Sequence, residues 1–191
     1  MASTLEHPLY EVFDNVLPEE FCKNVIDKFD TDNRSSPGKV MSGYNPDVKD
    51  SQDLLVSEYD DWKEYDAIFY KALLKHLPKF IVCCSEPVPS DFDHGFQIQR
   101  TTPSQIGYKW HHDFQVIPHN NTAAFRLVTY IFYLNDVEEG GETEFFDGTK
   151  ITPKTGRLLL FSSDVYHVHR GCQPISNTKY ISTGWSYKIC N

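Results

Sequence analysis

Residues 124–137 read AFRLVTYIFYLNDV, and this stretch decides the predicted fold. It is one of six β-type segments that follow Ser90 and are separated by turn residues. The other five are GFQIQR (95–100), QIGYKWHHDF (105–114), ETEFF (142–146), RLLLFSSD (157–164) and TKYISTGWSYKI (178–189). Strands at this spacing are typical of a β-sandwich or barrel. The carboxyl-terminal half is therefore predicted to be an antiparallel β core.

One connection within this core has a recognisable turn signal. The segment DVEEGGETEFF (136–146) contains Gly140 and Gly141, which can take the positive φ values that a tight turn demands. We expect a β-hairpin here.

The amino-terminal half is predicted to be helical. Residues 18–30 place apolar side chains on one helical face after Pro18 and two glutamates, which suit a helix start. A second helix fits residues 57–77, with Pro78 near its end. The first helix buries Phe21, Cys22, Val25, Ile26 and Phe29, and the second buries Trp62, Tyr65, Ile68, Phe69, Ala72, Leu73 and Leu77. Between them, residues 30–54 have the polar, Gly- and Pro-containing composition of a long loop.

Composition limits the class of protein. The chain has 191 residues, 40% of them hydrophobic, which favours a single domain over 1–191, with helical support and a loop in 1–90 and the β core in 91–191. A formal charge of −9 argues against a nucleic-acid partner. No signal peptide and no apolar run of membrane-spanning length is visible, so we expect a soluble cytoplasmic protein without a membrane partner.

The cysteines do not suggest a disulfide framework or a structural zinc site. They are five, an odd number, and no C-x-x-C pair occurs. We expect reduced, mostly buried thiols at Cys22, Cys83, Cys84, Cys172 and Cys190.

The segment YKWHHDF (108–114) carries the first sign of chemistry. On a strand, His111 and Asp113 point to one face and His112 to the other. With one more histidine they would form the two-His-one-carboxylate triad of non-haem iron(II) oxygenases. YHVHRG (166–171) offers His167 and His169 as the third ligand. The alternative is a hydrogen-bonded surface pair, because H-x-[DE] arises by chance about once in such a chain.

Lys179 adds a second sign. It lies in an otherwise apolar strand that leads into Trp185. A buried ammonium requires an anion, and a carboxylate on a bound cosubstrate would supply one. The alternative is that Lys179 reaches solvent from a strand edge.

At these residues the sequence resembles the iron(II)- and 2-oxoglutarate-dependent dioxygenases, in particular their prolyl 4-hydroxylase-like branch. GYKWHHDF resembles the branch's Y-x-x-H-x-D segment, and RLVTYIFYLNDVEEGGETEFF resembles its R-x-x-T-x-x-x-Y-L-N/S-D-V-E-E-G-G-E-T-x-F segment. PKTGRLLLFSSD and HRGCQPISNTKYISTGW are similar to the P-x-x-G-x-L-L-x-F and H-x-G-x-x-P segments that follow. The likeness spans roughly residues 97 to 187, in order, and joint occurrence makes it specific.

The resemblance implies a fold, a metal site and cosubstrates. The implied fold is mainly β with supporting amino-terminal helices, a double-stranded β-helix or jelly roll. The implied cofactors are Fe(II), 2-oxoglutarate and O2, with ascorbate as a candidate reductant. The implied residue roles are iron ligands at His111, Asp113 and His169, a cosubstrate carboxylate partner at Lys179, cosubstrate-lining positions at Tyr133, Thr129 and Trp185, and a position near the target at Tyr108.

The implied activity is hydroxylation of an unactivated C–H bond, with release of succinate and CO2. A prolyl residue of a peptide or protein is the leading substrate, and Arg126 is a candidate substrate contact, with a structural ion pair as its alternative. One departure is that Thr101 or Thr102 stands where the branch usually carries a tyrosine. Three other hypotheses remain: a hydroxylase of a free amino acid or other small molecule, a non-catalytic jelly-roll module that binds metal or ligand, and a cupin-like enzyme that uses another metal and no 2-oxoglutarate.

Overall fold

The structure is a computed structural model that describes residues 10–80 and 91–190. Within this part the helices are α1 Glu19–Thr31 and α2 Lys63–Phe80. The strands are β1 Tyr10–Phe13, β2 Ser36–Pro37, β3 Lys39–Val40, β4 Gly43–Tyr44, β5 Lys49–Asp50, β6 Gln52–Leu55, β7 Phe92–Asp93, β8 Gln97–Thr101, β9 Gly107–His111, β10 Val116–His119, β11 Thr122–Tyr133, β12 Thr143–Phe145, β13 Lys150–Ile151, β14 Arg157–Ser162, β15 His169–Gly171 and β16 Lys179–Ile189.

The strands form two main antiparallel sheets. The larger sheet has the order β1-β14-β11-β16-β8-β6-β2, with β10 beside β11 and β7 beside β16. The smaller sheet has the order β13-β12-β15-β9-β5, and β3 pairs with β4 alone. Side chains of both main sheets line one cleft. The predicted jelly roll with supporting helices is confirmed.

Strand β11 explains how one sheet supports two cores. Its side chains alternate between the faces of the sheet, as a two-residue repeat requires. Tyr130 and Phe132 join the core that α1 and α2 form on the outer face, together with Phe69. Ile131 and Tyr133 point toward the smaller sheet and belong to a separate cluster. The helices therefore cover one face of the larger sheet and leave the other face for the cleft.

The second helix differs in detail from its prediction. Residues 56–58 and 60–62 form two 3₁₀ turns, and α2 begins only at Lys63. Trp62 and Phe69 are buried as expected, but Ile68 is 43% exposed, so its assignment to the inner face was wrong. The helical repeat places Ile68 and the equally exposed Leu74 away from the larger sheet. The first helix buries Cys22, Val25 and Phe29 as predicted.

The prediction of a long loop over residues 30–54 was wrong. The segment contains β2 to β6, of which β5 pairs with β9 and β6 pairs with β8. These strands are short and polar, and their pairing depends on an existing sheet edge, which local composition does not reveal. They extend both main sheets at the mouth of the cleft.

The predicted hairpin over residues 136–146 was also wrong. Gly140 and Gly141 do have positive φ values, of 75° and 74°. However, β12 pairs with β13 and β15, so this turn carries the chain from the larger sheet to the smaller one. Strand β1 was not predicted at all.

The thiols Cys22, Cys172 and Cys190 are free, as predicted, but only Cys22 is buried, so the expectation of mostly buried thiols was wrong for these three. Cys83 and Cys84 lie outside the described residues. None of the described helices combines the length and the apolar composition needed to cross a membrane.

Candidate functional site

The candidate site is a cleft of about 590 Å³ between the two main sheets. His111 lies at the end of β9 and His169 at the start of β15, two neighbouring strands of the smaller sheet. The two residues are direct partners in the antiparallel register. Their rings lie 4.2 Å apart between centroids, so the register alone brings together two histidines that are far apart in the sequence.

Asp113 completes a group of three. One of its carboxylate oxygens lies 3.7 Å from Nε2 of His111, and the other lies 3.8 Å from Nε2 of His169. One ligand atom from each residue lies within 4.8 Å of the others, which is close enough to hold a single metal ion. Of the other two histidines considered, His112 is exposed and His167 binds Asp164 through Nδ1 at 2.8 Å.

Backbone carbonyls orient both imidazoles. Nδ1 of His111 lies 2.8 Å from the carbonyl oxygen of Lys109, and Nδ1 of His169 lies 3.0 Å from that of His167. When Nδ1–H donates to the carbonyl, the Nε2 lone pair is left for a metal. Both Nε2 atoms face the Asp113 carboxylate, as a shared metal site requires.

A side-chain hydroxyl holds the Asp113 carboxylate in position. Thr129 donates a hydrogen bond from Oγ1 to Oδ2 of Asp113 at 2.8 Å, and Ser163 lies 2.8 Å from the same hydroxyl. Burial favours the neutral acid, but His169, His111 and the Thr129 hydrogen bond together outweigh it and hold the pKa of Asp113 below its usual value. The carboxylate is thus anionic at neutral pH.

Electrostatics also keep His111 in the form that binds metal. Burial lowers the pKa of His111 to about 4, and the neighbouring imidazole of His169 acts in the same direction. A neutral imidazole is the form that can donate its lone pair to a metal. His111, His169 and Asp113 thus provide two imidazoles and one carboxylate, which is the donor set of a two-His-one-carboxylate facial triad with coordination positions left open.

Lys179 lies in the same cleft as this trio. It is only 5% exposed, and its strand β16 runs between β11 and β8, so the alternative of a lysine reaching solvent from a sheet edge was wrong. Among the described residues no carboxylate lies within ion-pair distance of its ammonium, and the nearest aromatic ring, that of Tyr133, has its centroid 5.8 Å away. Burial lowers the pKa of Lys179 to about 8.

The remaining predicted cosubstrate residues occupy different depths. Thr129 and Trp185 line the cleft. Tyr133 is fully buried behind the cleft wall, where its hydroxyl donates to Oγ1 of Thr143 at 2.7 Å. Its ring centroid lies 5.8 Å from the ammonium of Lys179, which does line the cleft.

Tyr108 and Arg126 also line the cleft. The Tyr108 ring stacks on His111 at 3.5 Å between centroids. The Arg126 guanidinium lies 3.5 Å from the ring centroid of Trp185 and donates to the backbone carbonyl of Asp113 at 3.3 Å. Arg126 makes no ion pair within the described part of the chain, so the alternative of a structural ion pair was wrong.

Sequence reasoning missed a second buried lysine in the cleft. Lys49 is 5% exposed and forms an ion pair with Asp53 at 2.6 Å, and Ser51 donates to the same carboxylate at 2.7 Å. The signal was the K-x-x-x-D spacing inside residues 30–54. It was overlooked because the segment was interpreted as a loop. Thr101, one of the two residues at the departure from the tyrosine pattern, pairs in register with Lys179 and lines the cleft.

Comparison with protein families agrees with this geometry. The family model of the 2OG-Fe(II) oxygenase superfamily matches residues 96–187, a range that contains the trio and Lys179. This stretch of the chain therefore resembles the 2OG-Fe(II) oxygenases. The match to the 2OG-Fe(II) oxygenase superfamily and the His-Asp-His trio together support Fe(II), 2-oxoglutarate and O2 as the metal and cosubstrates.

Curated relatives of this chain include plant prolyl 4-hydroxylases. It is 28% identical over 169 residues to prolyl 4-hydroxylase 1 of Arabidopsis thaliana, covering 77% of this chain and 56% of the relative. It is 31% identical over 134 residues to probable prolyl 4-hydroxylase 3 of the same plant, covering 53% of this chain and 46% of the relative. The chain thus spans about half the length of the curated relatives it matches.

Solved structures share the fold of this chain. A viral collagen prolyl hydroxylase from Paramecium Bursaria Chlorella virus-1, in complex with 2OG, matches with a TM-score of 0.71 and 24% identity over 97% of this chain and 99% of that one. A prolyl hydroxylase from Trichoplax adhaerens, in complex with a hypoxia inducible factor oxygen degradation domain peptide fragment, matches with a TM-score of 0.75 and 19% identity over 93% of this chain and 83% of that one.

Proposed function

We propose that this protein hydroxylates a prolyl residue of a peptide or protein, using Fe(II), 2-oxoglutarate and O2 and releasing succinate and CO2. One observation carries the proposal. A single cleft contains three ligand atoms within 4.8 Å of one another and a buried lysine without a described anionic partner. A metal that must accept a chelating cosubstrate requires open positions on one side and an anchor for the distal charge on the other.

The residue roles follow from this arrangement. His111, Asp113 and His169 would hold the iron, and Thr129 would keep the Asp113 carboxylate aligned. When bound, the iron supplies oxygen activation and C–H oxidation. Lys179 would bind the distal carboxylate of 2-oxoglutarate, with Trp185, and Tyr133 from behind the wall, shaping that pocket.

The substrate side of the proposal rests on the relatives and on the open part of the cleft. The curated relatives cited above are prolyl 4-hydroxylases, and the Trichoplax enzyme was solved with a peptide. Tyr108 beside His111 and Arg126 beside Asp113 line the cleft next to the proposed metal position. We therefore assign them to substrate contact.

Hydroxylation of a free amino acid is the second candidate. It is favoured by Thr101, which lies opposite Lys179 in the register where the resemblance leads us to expect a tyrosine. A threonine hydroxyl can donate a hydrogen bond but cannot stack on a cosubstrate or substrate.

The test is succinate formation. We would purify the protein without oxygen, add Fe(II), 2-oxoglutarate and O2, and measure succinate with proline-rich peptides, with free proline and with neither. We expect a peptide to stimulate succinate release in the wild type and in the control variant His112→Ala, but not in His169→Ala. Stimulation by free proline alone would select the second candidate. Metal binding without succinate under any condition would reject both and leave a binding module.

A further inference from the structure

Cys172 is a cleft residue that the proposed reaction does not use. It follows β15, is half-buried and lines the same cleft as Lys179. Its Sγ donates to Oε2 of Glu144 at 3.4 Å. The other described thiols differ in position: Cys22 is fully buried in the helical core, and Cys190 is exposed at the end of the chain.

Lys179 favours the binding of anionic ligands near this thiol. Lys179 is only 5% exposed, and within the described residues its ammonium has neither a hydrogen bond nor an ion pair. Cys172 lies near this lysine, because its backbone N–H donates to the carbonyl of Glu142 at 2.8 Å and the adjacent Gly141 packs against Cδ of Lys179. A carboxylate drawn to Lys179 would therefore arrive beside a sulfur nucleophile.

We propose that Cys172 is a covalent modification site for electrophilic carboxylates, above all unsaturated dicarboxylates of the size of 2-oxoglutarate, which Lys179 binds and presents to the sulfur. The choice of a dicarboxylate rests on the proposed function of Lys179. In the reaction the Cys172 thiolate forms a C–S bond to one alkene carbon. The electron pair of the double bond moves to the other alkene carbon, which takes a proton from water. No oxidant and no leaving group are involved.

The geometry gives this reaction its selectivity. Burial and the Glu144 carboxylate raise the pKa of Cys172, so the thiolate is a minor form at neutral pH and reacts slowly with uncharged reagents. A cationic group in a cleft concentrates anions locally. Modification would leave fixed carboxylates beside Lys179, and these would exclude the cosubstrate. Cys172 would thus link the enzyme to the supply of unsaturated acids.

The test compares two alkylating probes of similar size, iodoacetate and iodoacetamide, on the full chain. Site-resolved mass spectrometry gives the rates at Cys172 and at Cys190 in the wild type and in Lys179→Met. We expect the ratio of iodoacetate to iodoacetamide rates to be about tenfold higher at Cys172 than at Cys190, the low end of what electrostatic focusing provides. We also expect Lys179→Met to remove this excess. Excess 2-oxoglutarate should slow labelling of Cys172 only, and incubation with fumarate should add the mass of one fumarate to the Cys172 peptide.

Two controls make the result decisive. Cys22 must stay unlabelled in both proteins, because its labelling would report unfolding, and Cys172→Ser must lose the fumarate adduct. Equal rate ratios at Cys172 and Cys190, or the same ratio in Lys179→Met, would overturn the proposal. Labelling requires neither iron nor turnover. A protein that makes no succinate can therefore still support this inference, and an active enzyme can still contradict it.

Discussion

Two buried lysines in one cleft have opposite surroundings. Lys49 and Lys179 are each 5% exposed. Lys49 lies 2.6 Å from the Asp53 carboxylate, which Ser51 also supports. Lys179 has no carboxylate at ion-pair distance within residues 10–80 and 91–190. The protein itself satisfies the first charge, whereas the second requires an anion from outside.

The comparison shows how burial alone misleads. A buried ammonium is costly unless it is paired, so an unpaired one in a folded protein indicates a ligand or a shifted pKa. Burial does lower the pKa of Lys179 to about 8, which still leaves most molecules charged at neutral pH. Lys49 is thus part of the wall, and Lys179 is part of the site. Changing either lysine, its partner or another group of the cleft tests this distinction.

The largest effect is expected at the paired lysine. Asp53→Asn would leave the Lys49 ammonium buried without a counter-charge. We expect the free energy of unfolding to fall by about 3–5 kcal/mol, the usual cost of breaking a buried ion pair from one side. Urea unfolding measures this. The double variant Lys49→Met, Asp53→Leu should recover most of the loss, and if it is as unstable as Asp53→Asn the pair contributes through packing instead.

The unpaired lysine should show the opposite behaviour. Lys179→Met should raise the KM for 2-oxoglutarate by about 30-fold or more, because losing one partner of a buried charge pair costs at least ~2 kcal/mol. Its unfolding free energy without cosubstrate should be unchanged or higher, since no ion pair is lost. Lys71→Met, at an exposed position of α2, is the matched control. A large loss of stability in Lys179→Met would contradict the distinction between the two lysines.

The metal end of the cleft provides the next prediction. Thr129→Val removes the hydrogen bond to the Asp113 carboxylate while keeping the side-chain shape. We expect metal affinity to fall by about 10- to 100-fold, as is typical when a group that orients a metal ligand is removed. A titration with Fe(II) or Mn(II) measures it. Thr129→Ser keeps the hydroxyl and should bind metal nearly as well as the wild type. Equal weakening in both variants would point to packing.

The smallest effect concerns pH. Below about pH 8 the Lys179 ammonium is charged and can bind a carboxylate, and above its pKa the charge is lost. The KM for 2-oxoglutarate should therefore rise by about tenfold per pH unit above that value. Bound cosubstrate favours the charged form, so stoichiometric binding at pH 8 should take up protons from the buffer. Lys179→Arg, which stays charged, should abolish the pH dependence. A pH profile shared by both proteins would assign it to another group.

The sequence by itself determined the strand-rich core and the residues of the proposed site. Aromatic and β-branched residues dominate 124–137 and predict a strand, and a preference of this kind is local, so no tertiary knowledge is needed. The spacing of His111 and Asp113, and a lysine inside an apolar strand, were visible for the same reason. The resemblance to the dioxygenases then selected His169 over His167, and the structure places His169 with the other two.

Tertiary structure decided which partners these residues have. The pairing of His169 with His111, the hydrogen bond from Thr129 to Asp113 and the position of Tyr133 behind the wall depend on register between distant strands. The short strands in 30–54 form only against sheet edges built by later residues. Tertiary structure also decides that Lys49 has a carboxylate partner and Lys179 does not. Charge neutralisation is a property of what surrounds a side chain in three dimensions, and a lysine looks the same in sequence with or without its partner.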